Sequence, residues 1–281
     1  MPGTLYVVGT PIGNLEDLSP RAARVLREVP LVAAEDTRVT RRLLNRLEAR
    51  PRLLSFHGHN WRDRLEPLLQ ALEECDAALV SDAGMPGVSD PGRELVAAAA
   101  ERGIRVESVP GPSAVTTALA VSGMPADAFQ FLGFLPRRRS ERQSRLREVV
   151  AGSLTLALFE APHRLRATLE DIALLFGERP IAVCRELTKL HEEVFRGTAS
   201  EALAHFDAPR GEFAVVIAGA APETPPEDDA SSVRSFLWEQ RASGVRARDA
   251  AAVAAERFGI SKNRAYQLWL ETRAGDRGER G

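Results

Sequence analysis

Leu5-Tyr-Val-Val-Gly9-Thr-Pro-Ile-Gly-Asn14, followed by Ser19-Pro20, decides the fold class of this 281-residue chain. Residues 5–8 form a β-branched, apolar run of strand length. The run breaks into a loop of glycine, proline and polar residues. Ser19 and Pro20 then stand as the N-cap and first residue of a helix. The same period recurs downstream. Strands are expected over 31–34, 53–56, 77–81 and 106–109, and helices over 61–74, from Asp90-Pro91 to about Arg102, and from Ser113 to about Ser122. Asp90-Pro91 reads as a second cap-plus-proline pair. This alternation predicts an α/β fold with a mostly parallel sheet covered by helices. Ligands of such sheets bind outside the carboxyl ends of the strands.

Those ends carry Gly9 to Asn14, Glu35-Asp-Thr-Arg38, His57-Gly-His-Asn60, Ser81-Asp-Ala-Gly-Met-Pro-Gly87 and Pro110-Gly-Pro-Ser113. Ordinary turn chemistry explains any one of these loops. It explains less well why nearly all carry acidic, amide or imidazole groups on one edge. The Gly9 loop lacks the third glycine of the dinucleotide fingerprint, and no Gly-Lys-Ser/Thr follows it. A phosphate-bearing cofactor, and with it a nicotinamide oxidoreductase, is therefore disfavoured. A carboxylate at Asp82 suits ribose hydroxyls or an ammonium group.

Further strands are expected over 129–135, 154–159, 180–184, 194–197 and 213–218. The domain reading is an α/β domain over 1–124, a second over 125–220, a linker over 221–230, a helical C-terminal domain over 231–273 and a disordered tail over 274–281. Within the helical part, Arg246 to Phe258, a turn at Gly259-Ile260, and Ser261 as the next N-cap resemble a helix-turn-helix.

The composition is that of an ordinary packed protein, 44% hydrophobic and 27% charged with a formal net charge of -2. That balance argues against a polycation coating nucleic acid, though not against a local basic patch. Only Lys189 and Lys262 among the 37 basic residues are lysine. Cys75 and Cys184 have no sequence-near partner, so no disulfide framework is expected. His57-Gly-His59 lacks further ligands at metal spacing, and no metal is expected. No apolar run approaches the ~20 residues that span a bilayer, and the chain enters a strand almost at once. The expected location is the cytoplasm.

The loops and strands quoted above resemble the small-subunit (16S) rRNA (cytidine-2′-O-)-methyltransferase family, of the tetrapyrrole (corrin/porphyrin) methylase superfamily. The likeness runs through Leu5 to Asp17, Ala34 to Arg38, Val80 to Gly84, Ser89-Asp-Pro-Gly92 and Val109 to Ala114. It continues through Gly133-Phe-Leu-Pro136, Phe159 to Leu165, Arg185 to Lys189 and Arg210 to Val216, and reaches Ser261-Lys-Asn and Tyr266. Met85, Gly87-Val88, Ala161 and Gly58 depart from the family pattern.

The resemblance implies two α/β domains with S-adenosylmethionine in a cleft, and a homodimer acting on small-subunit rRNA or the 30S subunit. It implies cofactor contacts at Pro11, Ile12, Asp82, Gly84, Met85, Ser113, Ala114, Phe159, Leu187 and Ala214. It implies transfer to the ribose 2′-hydroxyl of a decoding-centre cytidine. A base there assists transfer, and Glu35, Asp36, His57 and Glu160 are the candidates, although Glu35 and Asp36 also suit helix capping. Arg38, Arg185 and Lys189 are candidates to grip phosphate. Pro136-Arg-Arg-Arg-Ser-Glu-Arg-Gln-Ser-Arg-Leu-Arg147 sets six arginines against one glutamate. Arg137, Arg138, Arg139 and Arg142 are read from it as an RNA backbone site, against the alternative of a solvated helix face. The competing functions are a tetrapyrrole methylase and a non-catalytic RNA-binding assembly factor.

Overall fold

A computed structural model describes residues 2–221 and 227–272, which fall into two compact units, 1–220 and 221–281. The first unit holds two five-stranded sheets.

The first sheet contains β1 (Thr4–Val8), β2 (Leu31–Ala34), β3 (Arg52–Ser55), β4 (Ala77–Val80) and β5 (Arg105–Val109) in the order β3-β2-β4-β1-β5. All its pairings are parallel. Alternate residues leave by opposite faces. Val8, Val32, Ala34, Ala78 and Val80 pack against α1 (Pro20–Glu28) and α2 (Thr37–Arg46). Leu5, Leu31, Ala33, Ala77 and Leu79 pack on the other side against α3 (Trp61–Glu74) and α4 (Arg93–Glu101). With both faces covered, β2 and β4 are buried at every position, as parallel strands between helices must be.

A fifth helix, α5 (Ala114–Ser122), leaves the end of β5 and packs on the second sheet. That sheet contains β6 (Phe129–Phe134), β7 (Thr155–Glu160), β8 (Ile181–Arg185), β9 (Glu193–Gly197) and β10 (Phe213–Ile217) in the order β6-β7-β10-β8-β9. Only β6 and β7 run parallel; the other pairs are antiparallel. One face buries Leu156, Leu158, Val183 and Val215 under α6 (Arg139–Arg147), α7 (Pro162–Phe176) and α8 (Ala199–His205). The other presents the small residues Ala157, Ala182, Cys184 and Ala214 to Val115, Ala118 and Leu119 of α5.

The second unit is a three-helix cluster of α9 (Glu227–Ala242), α10 (Ala247–Phe258) and α11 (Lys262–Glu271) around Val233, Leu237, Ala254, Leu268 and Trp269. Gly259 ends α10 at φ 65°, and the Ser261 hydroxyl accepts the Arg264 amide at 3.2 Å to open α11. This is the expected helix–turn–helix. Helix α9 begins at Glu227, inside the stretch read as linker. The expected tail lies outside the described residues.

One local expectation is corrected. Asp90-Pro91 does not cap α4. The helix starts at Arg93, with Gly92 at φ 137° as N-cap and no side-chain cap. Ser89 takes φ 63° just before, so the turn carries Asp90 away from the helix end.

Candidate functional site

The strand-end loops converge because two glycines let backbone meet backbone. A Cβ on Gly9 would lie 2.7 Å from Gly111 and 2.6 Å from the Met85 sulfur. Thr10 and Gly84 then exchange amide hydrogen bonds of 2.9 and 3.0 Å, joining the ends of β1 and β4. A Cβ on Gly13 would lie 2.5 Å from Lys189 Cγ and 2.8 Å from Thr188 Oγ1. Its absence lets the β1 loop seat on the loop after β8, where the Asn14 amide donates to Thr188 Oγ1 at 3.1 Å.

Between these loops and the second sheet lies a cavity of about 390 Å³. Ile12, Asp82, Gly84, Met85, Ser113, Ala114, Phe159, Leu187 and Ala214 all line it, drawn from both sheets and from α5. Pro11, expected among them, is not in the wall, because the loop turns Ile12 inward instead. Glu35, Asp90, Phe134, Glu160 and Glu212 add to the lining.

The acidic end of the cavity is built by β2 and β4 together. The Asp82 amide donates to Glu35 Oε2 at 3.2 Å, and the Asp36 amide donates to Asp82 Oδ1 at 3.0 Å. Burial raises the Glu35 pKa, opposed by the Asp82 amide and helped by the Asp82 charge. Burial also raises the Asp82 pKa. Asp90 is pushed up to about 6, by burial first and then by the nearby Glu35 charge. Among the described residues none of these three carboxylates has an ion-pair partner within 4.0 Å.

Not every expected base is free. Asp36 caps α2 by accepting the Arg38 amide at 2.8 Å, and it pairs with the Arg38 guanidinium at 2.6 Å. These bonds hold its carboxyl at about 2, and it is not in the cavity wall. His57 also lies outside the wall. Its amide donates to Asn60 Oδ1 at 2.8 Å, and its Nδ1 accepts the His59 amide at 3.3 Å. No group of three or more metal-ligating side chains occurs among the described residues. Glu160 lines the cavity but is committed: Thr168 Oγ1 donates to it at 2.6 Å, and the Arg164 guanidinium lies 3.2 Å away.

The basic segment divides in a way the residue run does not reveal. Arg142 is 5% exposed at its side chain, with its guanidinium 2.7 Å from the fully buried Asp171. Arg139 and Gln143 bond the same carboxylate at 3.1 and 2.7 Å. Arg142 is therefore a structural ion of the α6–α7 packing and is withdrawn from the RNA candidates. Arg139 keeps a 66% exposed side chain, although Asp171 holds it. Arg137 is exposed and makes no ion pair among the described residues, and Arg138 pairs weakly with Glu141 at 3.3 Å. Arg38 is 86% exposed beside Asp36. Lys189 sits between Glu186 and Glu212, both at 2.9 Å; burial works against its ammonium, but the two carboxylates outweigh it and raise its pKa. Arg185 is likewise bound to Glu193 at 3.2 Å.

Asp90, Phe134 and Glu212 are among the cavity-lining residues that the sequence reading did not single out. The signal for Asp90 was the Ser89-Asp-Pro-Gly92 motif, which cap chemistry explained in full. For Phe134 the signal was the glycine before it inside a strand, a mark of a bulge.

The two-sheet architecture with a cavity at the strand ends is that of a methylase fold, and residues 4–203 match the family of Tetrapyrrole (Corrin/Porphyrin) Methylases. The solved structure of diphthine synthase superposes with a TM-score of 0.60 at 15% identity, over 77% of this chain and 90% of that one. Uroporphyrin-III-C-methyltransferase from Thermus thermophilus gives 0.52 at 24% identity, over 76% of this chain and 94% of that one. The chain belongs to the tetrapyrrole methylase family, and within it to the group named ribosomal RNA small subunit methyltransferase I. A Synechocystis member is 45% identical over 276 residues, 97% of this chain and 99% of its own length. A Thermotoga maritima member is 49% identical over 77% of this chain and 99% of its own length.

Proposed function

We propose that the cavity holds S-adenosylmethionine and that the chain transfers its methyl group to the 2′-hydroxyl of a decoding-centre cytidine in small-subunit rRNA. The observation that carries this reading is one cavity whose walls are mainly apolar and whose β2–β4 end holds three carboxylates with no ion-pair partner among the described residues. Ile12, Met85, Phe159, Leu187 and Ala214 suit the adenosine and thioether parts. Glu35, Asp82 and Asp90 suit ribose hydroxyls and the positive charge of an ammonium or sulfonium. The names of the relatives support ribosomal RNA as the acceptor.

When bound, the cofactor supplies an electrophilic methyl group. The chain's own part is alignment and exclusion of water. Loops from both sheets fix the reacting groups in one geometry, and the apolar walls keep solvent out. The acceptor proton needs a side chain more basic than an ordinary carboxylate. Burial raises the pKa of both Glu35 and Asp90, and they are the candidates in this reading. Asp36 and His57 leave the role, one bound to Arg38 and both outside the cavity. Arg137 and Arg138, a few residues beyond the cavity-lining Phe134, are the RNA-phosphate contacts in this reading, with Arg38 and the exposed part of Arg139 as outlying ones. Exposed arginines so close in the chain to a cavity-lining residue favour a polyanion over a tetrapyrrole acceptor. The same reading carries a homodimer working in the cytoplasm on rRNA or the 30S subunit. No helix among the described residues is long and apolar enough to cross a membrane.

Calorimetry and methyl mapping test it together. Wild-type protein binds S-adenosylmethionine and adds one 2′-O-methyl group to small-subunit RNA. Asp82→Ala weakens the cofactor by tenfold or more. The pair Arg137→Ala, Arg138→Ala leaves cofactor affinity unchanged and weakens RNA, with a shallower salt dependence. No cofactor binding by wild type sinks the enzyme reading, and equal losses of both ligands in both variants sink the division of labour.

A further inference from the structure

The pairing of β6 with β7 slips by one residue within the last turn of the ladder. Phe131 lies opposite Ala157, yet Phe134 lies opposite Phe159. Regular pairing would set Phe134 opposite Glu160. The slip is a β-bulge, and Gly133, at φ 63°, is the residue that makes it. A Cβ on Gly133 would also come within 3.1 Å of the Ser89 hydroxyl.

The bulge changes which way Phe134 faces. Residues three apart on a regular strand leave by opposite faces. Here Phe131 and Phe134 both reach the Phe159 ring, with centroids 5.0 and 5.6 Å away. Three phenyl groups thus stand in a row, and the outermost, Phe134, lines the cavity while remaining 56% exposed. Bulges beside active sites re-aim side chains in this way. The chain just beyond is fixed, because Arg164 Nη2 donates to the Leu135 carbonyl at 2.6 Å and to that of Pro136 at 3.3 Å. The exposed Arg137 and Arg138 follow directly.

We propose that Phe134 is the platform on which the base of the acceptor nucleotide stacks. An exposed aromatic ring backed by further rings, with exposed arginine close by in the chain, is the combination that binds single-stranded nucleic acid. Bases of RNA acted on outside a duplex stack on such rings while cations hold the backbone. The platform would set the ribose of that nucleotide at the cavity mouth. This inference rests on the proposed RNA acceptor, and the test separates the two.

Full-length wild-type protein and the variants Phe134→Ala, Phe134→Leu and Phe134→Trp are compared on a single-stranded small-subunit RNA fragment. Stacking worth about 1–3 kcal/mol per base predicts that Phe134→Ala lowers kcat/KM by roughly 5- to 150-fold. Phe134→Leu, which keeps the apolar surface and loses the π-face, falls with it, and Phe134→Trp stays near wild type. Cofactor affinity falls far less than kcat/KM in all three, and each variant still unfolds in one cooperative transition. A cytidine analogue whose fluorescence is quenched by stacking, placed at the acceptor position, is quenched by wild type and not by Phe134→Ala. Unchanged kinetics in Phe134→Ala overturn the proposal. So does wild-type behaviour of Phe134→Leu, or a parallel loss of cofactor affinity, which assigns the ring to S-adenosylmethionine. If wild type methylates no RNA, the proposed function fails by itself; the fluorescence arm still decides the platform, and absent or equal quenching overturns it.

Discussion

Asp90→Asn tests the acidic end of the cavity through stability as well as activity. The carboxyl titrates near 6 in the folded chain against 3.8 for the free side chain. A raised carboxylate pKa means the folded state prefers the protonated form. The stabilising preference is therefore complete below about pH 3.8 and is lost as pH rises through 6. At pH 8 the folded chain bears the full cost of an ionised Asp90. The gap corresponds to about 3 kcal/mol at 1.36 kcal/mol per tenfold change. Asp90 is partly open to solvent, and screening reduces this to about 1–1.5 kcal/mol. Asparagine has nearly the same shape and cannot ionise. Asp90→Asn is expected to raise Tm at pH 8 by about 2–6 °C, using 2–4 °C per kcal/mol for a unit of this size. The advantage falls to about half at pH 5 and vanishes only below about pH 3.8. Scanning calorimetry at pH 5, 6.5 and 8 checks it. A gap that is the same at pH 5 and pH 8, or a variant less stable than wild type at pH 8, refutes the reasoning. The same variant is expected to lose methyl transfer, so that stability rises where function falls.

Two further predictions follow from packing. Arg142→Ala leaves Asp171 buried with only Arg139 and Gln143 as partners, and it is expected to cost about 3 kcal/mol, the low end for breaking a buried pair; Tm falls by about 6–12 °C, while RNA affinity of the folded variant stays at the wild-type value by filter binding. Gly13→Ala drives a methyl group into the Thr188–Lys189 loop at 2.5–2.8 Å; it is expected to destabilise by about 1–3 kcal/mol and, by displacing Leu187 from the cavity wall, to weaken S-adenosylmethionine in calorimetry.

The strands and the loops after them were legible because their signals are local. The apolar run at 5–8, the Gly-Pro break and the Ser19-Pro20 start report their own conformation. The cavity residues came from the ordered motifs around those loops, and the structure brings nine of the ten into one wall. What sequence could not show depends on residues distant in the chain. Arg142 reads as one more arginine of a basic run until Asp171, 29 positions on, is seen beneath it. Asp90 reads as a cap because Asp-Pro is good cap chemistry. Only the positive φ values of Ser89 and Gly92 divert it, and serine at φ 63° is an outlier that no propensity predicts. The antiparallel pairings of the second sheet were equally hidden, since the sequence order of its strands resembles that of the first.

The join between the two sheets explains why one cavity can draw on both. Helix α5 starts with Ser113 and Ala114 in the cavity wall and ends packed on β7, β8 and β10. The face it meets carries Ala157, Ala182, Cys184, Ala214 and Val216, and a helix approaches a sheet closely only where side chains are small. Ala214 serves twice, touching the helix cluster and lining the cavity. A larger residue at any of these positions would push α5 outward and carry Ser113 with it. The distance across the cavity is thus set from behind, by the volume of these side chains, of which only Cys184 and Ala214 touch the cavity. Cys184 fits this role as a packing residue and not as a nucleophile: it is fully buried, and burial lifts its thiol to about 11. A protonated thiol at that depth is inert at neutral pH.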